Sequence, residues 1–292
     1  MTRLIENLAE ISANYDALFC DLWGCVHDGY APFPDAIKAL QAYRAQGGKV
    51  IMVTNAPRQF QSVATQLANM NLPEDTYDAI ATSGDAARAA MFTGAVGEKV
   101  YLMGQEHDQV FFDPLPLIAD PVEIKQVPLA EADGIVCCGP FNPLADPEVL
   151  RPELLLAKQR GLKLMCANPD IVVDRGETRE WCAGAIAQLY TEMGGESLYF
   201  GKPHPPIYDL ARRRLAGLGP LPADSRILAI GDGIHTDIQG AMGEDIDSVF
   251  ITGGLAAAET KTQAGGQPDP KALQDYVEKA QTNATYAIGG LR

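Results

Sequence analysis

Short apolar runs that end in a polar residue alternate along this chain with segments of helical spacing, and this alternation constrains the fold most. Ala17-Leu18-Phe19-Cys20-Asp21 is the first such run. Asp35 stands as the cap of a segment with Ile37, Leu40 and Tyr43 on one face, stopped by Gly47-Gly48. Val50-Ile51-Met52-Val53 reads as a strand buried on both faces, ending at Thr54-Asn55. Phe60, Val63, Ala64 and Leu67 then follow at the spacing of a helix face, and residues 79–83 form a third short strand. Strand–helix steps in this order predict a doubly wound parallel sheet covered by helices.

The middle of the chain is less regular. Strands are expected at 99–103, 134–138 and 163–167, with a helix over 153–160 ended by Gly161. A further helix from Arg179 would carry Trp181 and Tyr190. These elements predict a second, smaller α/β unit. The simpler alternation resumes with a strand through Tyr199-Phe200-Gly201-Lys202, a helix through Ile207, Leu210, Ala211 and Leu215, and a strand 227–232. A last strand, 248–252, precedes a Gly-, Ala- and Gln-rich stretch, 253–268, that reads as a mobile connection.

Charge narrows the partners. The 292 residues hold 23 Lys+Arg against 38 Asp+Glu, a formal charge of −15, which disfavours nucleic acid and anionic membrane surfaces. No apolar run approaches the ~20 residues that span a bilayer, and residues 1–16 lack a signal-peptide core, so a cytoplasmic location is expected. The six cysteines form no CxxC pair and share no zinc spacing with the four histidines, so they read as reduced, mostly buried thiols.

Four polar signals fall at the C-terminal ends of expected strands: Asp21, Thr54-Asn55, Lys202 and Asp232, with Asp237 just behind the last. That edge of an open parallel sheet is where ligands bind. Singly, each has an ordinary explanation as a cap, turn or solvated loop residue. Together, two separated acids, a hydroxyl–amide pair and a lysine make a cation site and a phosphate cradle.

The motifs Phe19-Cys20-Asp21-Leu22-Trp23-Gly24, Val53-Thr54-Asn55-Ala56-Pro57, Thr82-Ser83-Gly84-Asp85, Asn168-Pro169-Asp170, Gly201-Lys202-Pro203 and Gly231-Asp232 through Asp237 cover nearly the whole chain. As a set they resemble the haloacid dehalogenase-like hydrolases, in particular the large-capped NagD-type phosphatases. The resemblance implies a Rossmann-like core of residues 1–84 plus 197–292, with an α/β cap of residues 85–196 inserted to set specificity. It implies a Mg²⁺-dependent hydrolase of small phosphomonoesters, sugar phosphates or phosphorylated metabolites, and a homodimer through the cap. Asp21 would be the nucleophile that forms an aspartyl-phosphate. Thr54 and Asn55 would hold the phosphoryl oxygens, and Lys202 would neutralise nucleophile and transferring group. Asp21, the backbone carbonyl of Trp23, Asp232 and Asp237 would serve the metal. Arg175, Glu177 and Arg179 could face the substrate from the cap, or simply be solvated.

Trp23 departs from the pattern. Phosphatases of this family carry a second Asp there, which protonates the leaving alcohol and then activates water. Indole does neither, so turnover is expected to be slow unless His27 or Asp28, in the same loop, substitutes. Two other readings stand beside the phosphatase: dehalogenase-like attack by Asp21 at carbon, and a phosphoryl-ligand binding protein that has lost turnover.

Overall fold

The computed structural model describes residues 2–292 except 116, 117, 119, 176 and 177. In chain order its strands and helices are β1 (Arg3–Leu4), β2 (Ala17–Cys20), α1 (Pro34–Ala45), β3 (Lys49–Thr54), α2 (Phe60–Asn69), β4 (Ala79–Thr82), α3 (Ser83–Phe92) and β5 (Lys99–Met103). There follow β6 (Lys125–Gln126), β7 (Gly134–Cys137), α4 (Arg151–Gln159), β8 (Lys163–Cys166), β9 (Val172–Arg175), β10 (Thr178–Trp181), α5 (Ala183–Glu192) and β11 (Glu196–Tyr199). The chain closes with α6 (Pro205–Ala216), β12 (Ile227–Gly231), α7 (Gln239–Gly243), β13 (Asp247–Ile251), α8 (Pro270–Lys279) and β14 (Tyr286–Ile288). Among the described residues no helix is long and apolar enough to cross a membrane.

Two compact units result, one of residues 1–54, 64–81 and 208–292, the other of residues 55–63 and 82–207. The first is built on a seven-stranded sheet of order β1-β14-β13-β12-β2-β3-β4. From β1 to β3 the pairings are parallel: Cys20 of β2 lies opposite Ile230 of β12 on one side and Met52 of β3 on the other. From β2 the chain moves outward through β3 to β4, while β12 to β14 build the other half. The boundary between β2 and β12 is therefore the point where strand order reverses, and ligands of doubly wound sheets bind beyond the strand ends at such a point. All four residues of β2 and all five of β12 are buried, as strands covered on both faces must be.

The second unit has a five-stranded parallel sheet, β11-β8-β7-β5-β6, and a separate β9–β10 antiparallel hairpin. Its side chains alternate between two cores. Ile135 and Cys137 of β7 pack with Leu154 of α4 and Ile186 and Tyr190 of α5, while Val136 of the same strand packs with Ala87 and Met91 of α3 and with Phe111.

The doubly wound sheet expected from the sequence is present, and several local expectations change. Asp35 is not the cap of α1; Phe33 is, because Pro34 takes the first helical position, where its missing N–H is no loss. Asp35 sits in the first turn instead, favourable for the helix dipole. Trp181 lies on β10, and only Tyr190 is helical. The strand expected through Lys202 is β11, which ends at Tyr199 and belongs to the five-stranded sheet, so Lys202 follows in a turn. Stretch 253–268 is a folded connection: Ala256, Thr260 and Thr262 are buried, and the Thr262 hydroxyl donates to Thr252 Oγ1 at 2.9 Å. It leads through α8 to β14, a strand beyond the one expected to be last.

Candidate active site

In the first unit the register of three neighbouring strands gathers the candidate residues. Asp21 follows β2, Asp232 follows β12 and Thr54 ends β3, so all three stand at the C-terminal edge of adjacent strands. The Asp21 N–H donates to the Ile230 carbonyl at 2.8 Å, which extends the β2–β12 ladder by one rung and fixes the residue's height. Asp21, Asp232 and Thr54 are 8%, 5% and 8% exposed, so two carboxylates are buried side by side.

One oxygen of Asp21, one of Asp232 and the Cys25 sulfur lie within 4.8 Å of one another. Like charges that close in a buried place disfavour each other and call for a cation. The Cys25 thiol is held neutral, because burial and then the Asp232 and Asp21 charges push it well above its ordinary value. The two carboxylates supply a pair of hard oxygen donors, which suits Mg²⁺ or Ca²⁺. Nothing in the sequence distinguishes Cys25 from the other cysteines; only the return of the loop after β2 brings it here.

The glycine at 24 is required by that return. Its φ is +71°, and a Cβ there would come 2.2 Å from Asp232 Oδ2. The same oxygen accepts the Leu255 N–H at 3.0 Å, which aims the carboxylate. Asp237, also buried, lies outside the 4.8 Å cluster. Its Oδ2 accepts the Gly233 N–H at 3.1 Å and the Thr236 hydroxyl at 3.3 Å, closing the turn Ile234–Ile238 behind Asp232.

Trp23 is half-buried, its ring edge-on to His27 at 5.3 Å between centroids. His27 Nδ1 accepts the Gly29 N–H at 3.0 Å, so the neutral ring carries its proton on Nε2. Asp28 makes a tight turn: its Oδ1 accepts from Tyr30 and Ala31 N–H at 2.9 and 2.8 Å. Those bonds, Ala31's first, hold its carboxyl below the usual carboxylate range. A carboxylate so stabilised is a poor proton donor.

In the second unit Asn55 and Lys202 come together, both 3% exposed. Asn55 Oδ1 accepts the Lys202 N–H at 2.7 Å, and its Nδ2 donates to the Lys202 carbonyl at 3.1 Å and to Asp170 Oδ1 at 2.8 Å. Both polar atoms of the Asn55 side chain are thus engaged within the protein. Glu177 and the Arg175 side chain lie outside the described residues, and Arg179 is an exposed residue of β10. A cleft of about 370 Å³ in this unit is lined by Tyr101, Gln105, Gln109, Gln126 and Phe141 among others. Its wall has no lysine, arginine or histidine, so it does not suit a phosphoryl group.

The acids thus stand at the switch point of a doubly wound sheet, where such folds bind their ligands. A family model described as haloacid dehalogenase-like hydrolase matches residues 18–114, and one described as HAD-hydrolase-like matches residues 199–280. A crystal structure of a haloacid dehalogenase-like hydrolase from Brucella suis is 37% identical, covers 99% of this chain and 100% of that one, and superposes with a TM-score of 0.85. D-glycerol 3-phosphate phosphatase of Mycobacterium tuberculosis is 26% identical over 255 residues, 86% of this chain and 67% of that protein. The crystal structure of a glycerol phosphate phosphatase from the same organism, in complex with magnesium, shares the fold: 24% identity, 84% of this chain and 70% of that one, TM-score 0.63. The chain belongs to the haloacid dehalogenase-like hydrolase family, and the resemblance to its NagD-type branch holds.

Proposed function

We propose that the protein is a phosphatase of small phosphomonoesters, sugar phosphates or similar phosphorylated metabolites, and that it requires Mg²⁺. The observation that carries this is the pair of buried carboxylates, Asp21 and Asp232, converging from adjacent strand ends with a neutral thiol beside them. A relative that is a D-glycerol 3-phosphate phosphatase supports the reaction class, and a related fold crystallised with magnesium supports the metal.

Asp21, Asp232 and the Trp23 carbonyl would hold the ion, with Asp237 bracing the turn behind. Bound there, Mg²⁺ lowers the repulsion between a carboxylate and a phosphate dianion. In this reading an Asp21 oxygen attacks phosphorus, and the ester P–O bond breaks as the aspartyl-phosphate forms. The Thr54 hydroxyl and the Asn55 N–H bind phosphoryl oxygens, and Lys202 balances the charge of the transferring group. Water then cleaves the acyl phosphate and restores Asp21. Trp23 supplies no proton to the leaving alkoxide, Asp28 is stabilised as its anion, and His27 Nδ1 is engaged by the loop backbone. Esters with good leaving groups are therefore the fast substrates. The segment 85–196 selects the substrate; a homodimer through it and a cytoplasmic location belong to the same reading.

The deciding experiment is phosphate release from p-nitrophenyl phosphate and a panel of sugar phosphates, with and without Mg²⁺. Magnesium-dependent release is expected; no release from any ester with Mg²⁺ present would overturn the proposal and leave a binding protein.

A further inference from the structure

Asn55 is tied to Lys202 in a way that an oxygen-binding role does not use. Its amide grips both backbone polar atoms of one residue, as a neighbouring strand would, and its last proton goes to Asp170. The orientation is fixed by chemistry: reversing the amide would set its oxygen against a carbonyl and a carboxylate, and its NH₂ against an N–H. Asp170 is anchored in turn, donating its N–H to Asn168 Oδ1 at 3.0 Å and accepting the Gly184 N–H through its carbonyl at 3.1 Å. The preceding position has no room for a side chain. A Cβ on Gly201 would come 2.4 Å from Asn55 Oδ1 and 2.6 Å from Pro169 Cδ. Three loops distant in sequence, those of Asn55, Asp170 and Lys202, are thus pinned at one buried point.

We infer that Asn55 and Asp170 are positioning residues that deliver the Lys202 ammonium to the transferring phosphoryl group by immobilising the lysine's backbone. A lysine side chain has four rotatable bonds, so its reach is precise only if its Cα is held. The inference rests on the reading that Lys202 is the cation of the reaction. Misplacement of a catalytic group by about 1 Å costs on the order of 10²-fold in rate.

The test is a double-mutant cycle on the full-length protein with p-nitrophenyl phosphate, with thermal melts to establish folding. Asn55→Ala removes the three side-chain bonds but keeps the backbone N–H. It should lower kcat ~10²-fold with KM changed less than ~3-fold. Lys202→Ala should lower kcat at least as far, and adding Asn55→Ala to it should cost less than ~3-fold more, because the residue it acts through is gone. Asp170→Ala should lower kcat ~10-fold, and Asp170→Asn, which still offers an acceptor, should recover to within ~3-fold of the parent. Strictly multiplicative losses for Asn55 and Lys202 would overturn the inference, as would parental kcat in a folded Asn55→Ala protein. Should Asn55→Ala fail to fold, equal rates for the two Asp170 variants would overturn it. Parental turnover in Lys202→Ala would remove the lysine's role itself, a failure of the underlying reading that the other arms keep separate.

Discussion

Asp16, Asp78 and Asp247 stand at the N-terminal edge of the seven-stranded sheet, where they meet cations and hydroxyls. Asp16 accepts from Arg226 Nε and a terminal nitrogen at 2.9 and 2.6 Å, and Asp78 accepts from Arg44 in the same two-pronged way at 3.1 and 2.7 Å. Asp247 accepts the Tyr15 and Thr285 hydroxyls at 2.6 and 2.8 Å. At the opposite edge, one sheet-width away along β2 and β12, Asp21 and Asp232 converge on each other and on a neutral thiol. Both edges belong to the same sheet and use the same residue type. One set is engaged by guanidiniums and hydroxyls that tie strand starts to neighbouring elements; the other brings two carboxylates together in a buried place, where hard oxygen donors for a cation converge. Function therefore resides in what the strand ends converge upon and not in the sheet that carries them.

The largest effect should come from the C-terminal edge. Asp21→Asn keeps an oxygen for the metal but is no nucleophile, so kcat should fall more than ~10⁴-fold while the melt and most Mg²⁺ affinity persist. Parental turnover in the Asn variant would end the assignment. Asp232→Ala should fail differently, by weakened metal binding, so activity should return in part as Mg²⁺ is raised. A Mg²⁺ dependence identical to the parent's would take Asp232 out of the metal site. Equivalent changes at Asp16 or Asp247 should leave kcat unaltered, which is the comparison restated as a measurement.

Trp23 sharpens the same edge by a smaller factor. If the missing carboxylate limits turnover, aryl phosphates should be hydrolysed far faster than alkyl ones, since a phenolate leaves without a proton. Trp23→Asp should then raise alkyl-phosphate kcat by up to ~10²-fold. The indole packs edge-on to His27, so the variant should also melt a few degrees lower, and the kinetics must be read on folded protein. Equal aryl and alkyl rates in the parent, with no gain in the variant, would mean another group supplies the proton.

Much of this was legible in the sequence because β2, β3 and β12 are buried on both faces, and a run such as Val50-Ile51-Met52-Val53 has little else it can be. Asp21 and Asp232 could be found because they terminate such runs. The failures share a cause, which is that local pattern does not reveal long-range partners. Stretch 253–268 is rich in Gly, Ala and Gln, yet a chain of hydroxyls from Thr260 and Thr262 to Thr252 orders it. Lys202 reads as the end of its own strand, but Tyr199 closes a strand of the other sheet, and Asn55 at a sequence separation of 147 sets where the lysine stands. Cys25 joins the acids only through the Gly24 turn.

The smallest predicted effect on catalysis is the largest at the structural edge. Asp78 precedes β4, and besides Arg44 its Oδ2 accepts the Val50 N–H at 2.8 Å, joining the end of α1 to the start of β3. Burial raises its pKa, but the Arg44 hydrogen bonds, the Val50 N–H and the nearby positive charges outweigh it and hold the carboxyl below the ordinary value. The folded pKa is thus depressed relative to the unfolded one. The stabilisation is fully present above the unfolded value near 4 and is lost as pH falls through the folded value. Asp78→Ala should cost about 3 kcal/mol at pH 7, because it leaves a half-buried guanidinium and a backbone N–H without their acceptor. Urea unfolding of parent and variant should therefore diverge at pH 7 and draw together as the pH falls below about 4 and through the depressed folded value, with kcat of the folded variant at neutral pH within ~2-fold of the parent. A stability gap that does not narrow as the pH falls below about 4 would show that Asp78 acts by shape alone, and a large fall in kcat would show that the two edges are not the separate devices their partners suggest.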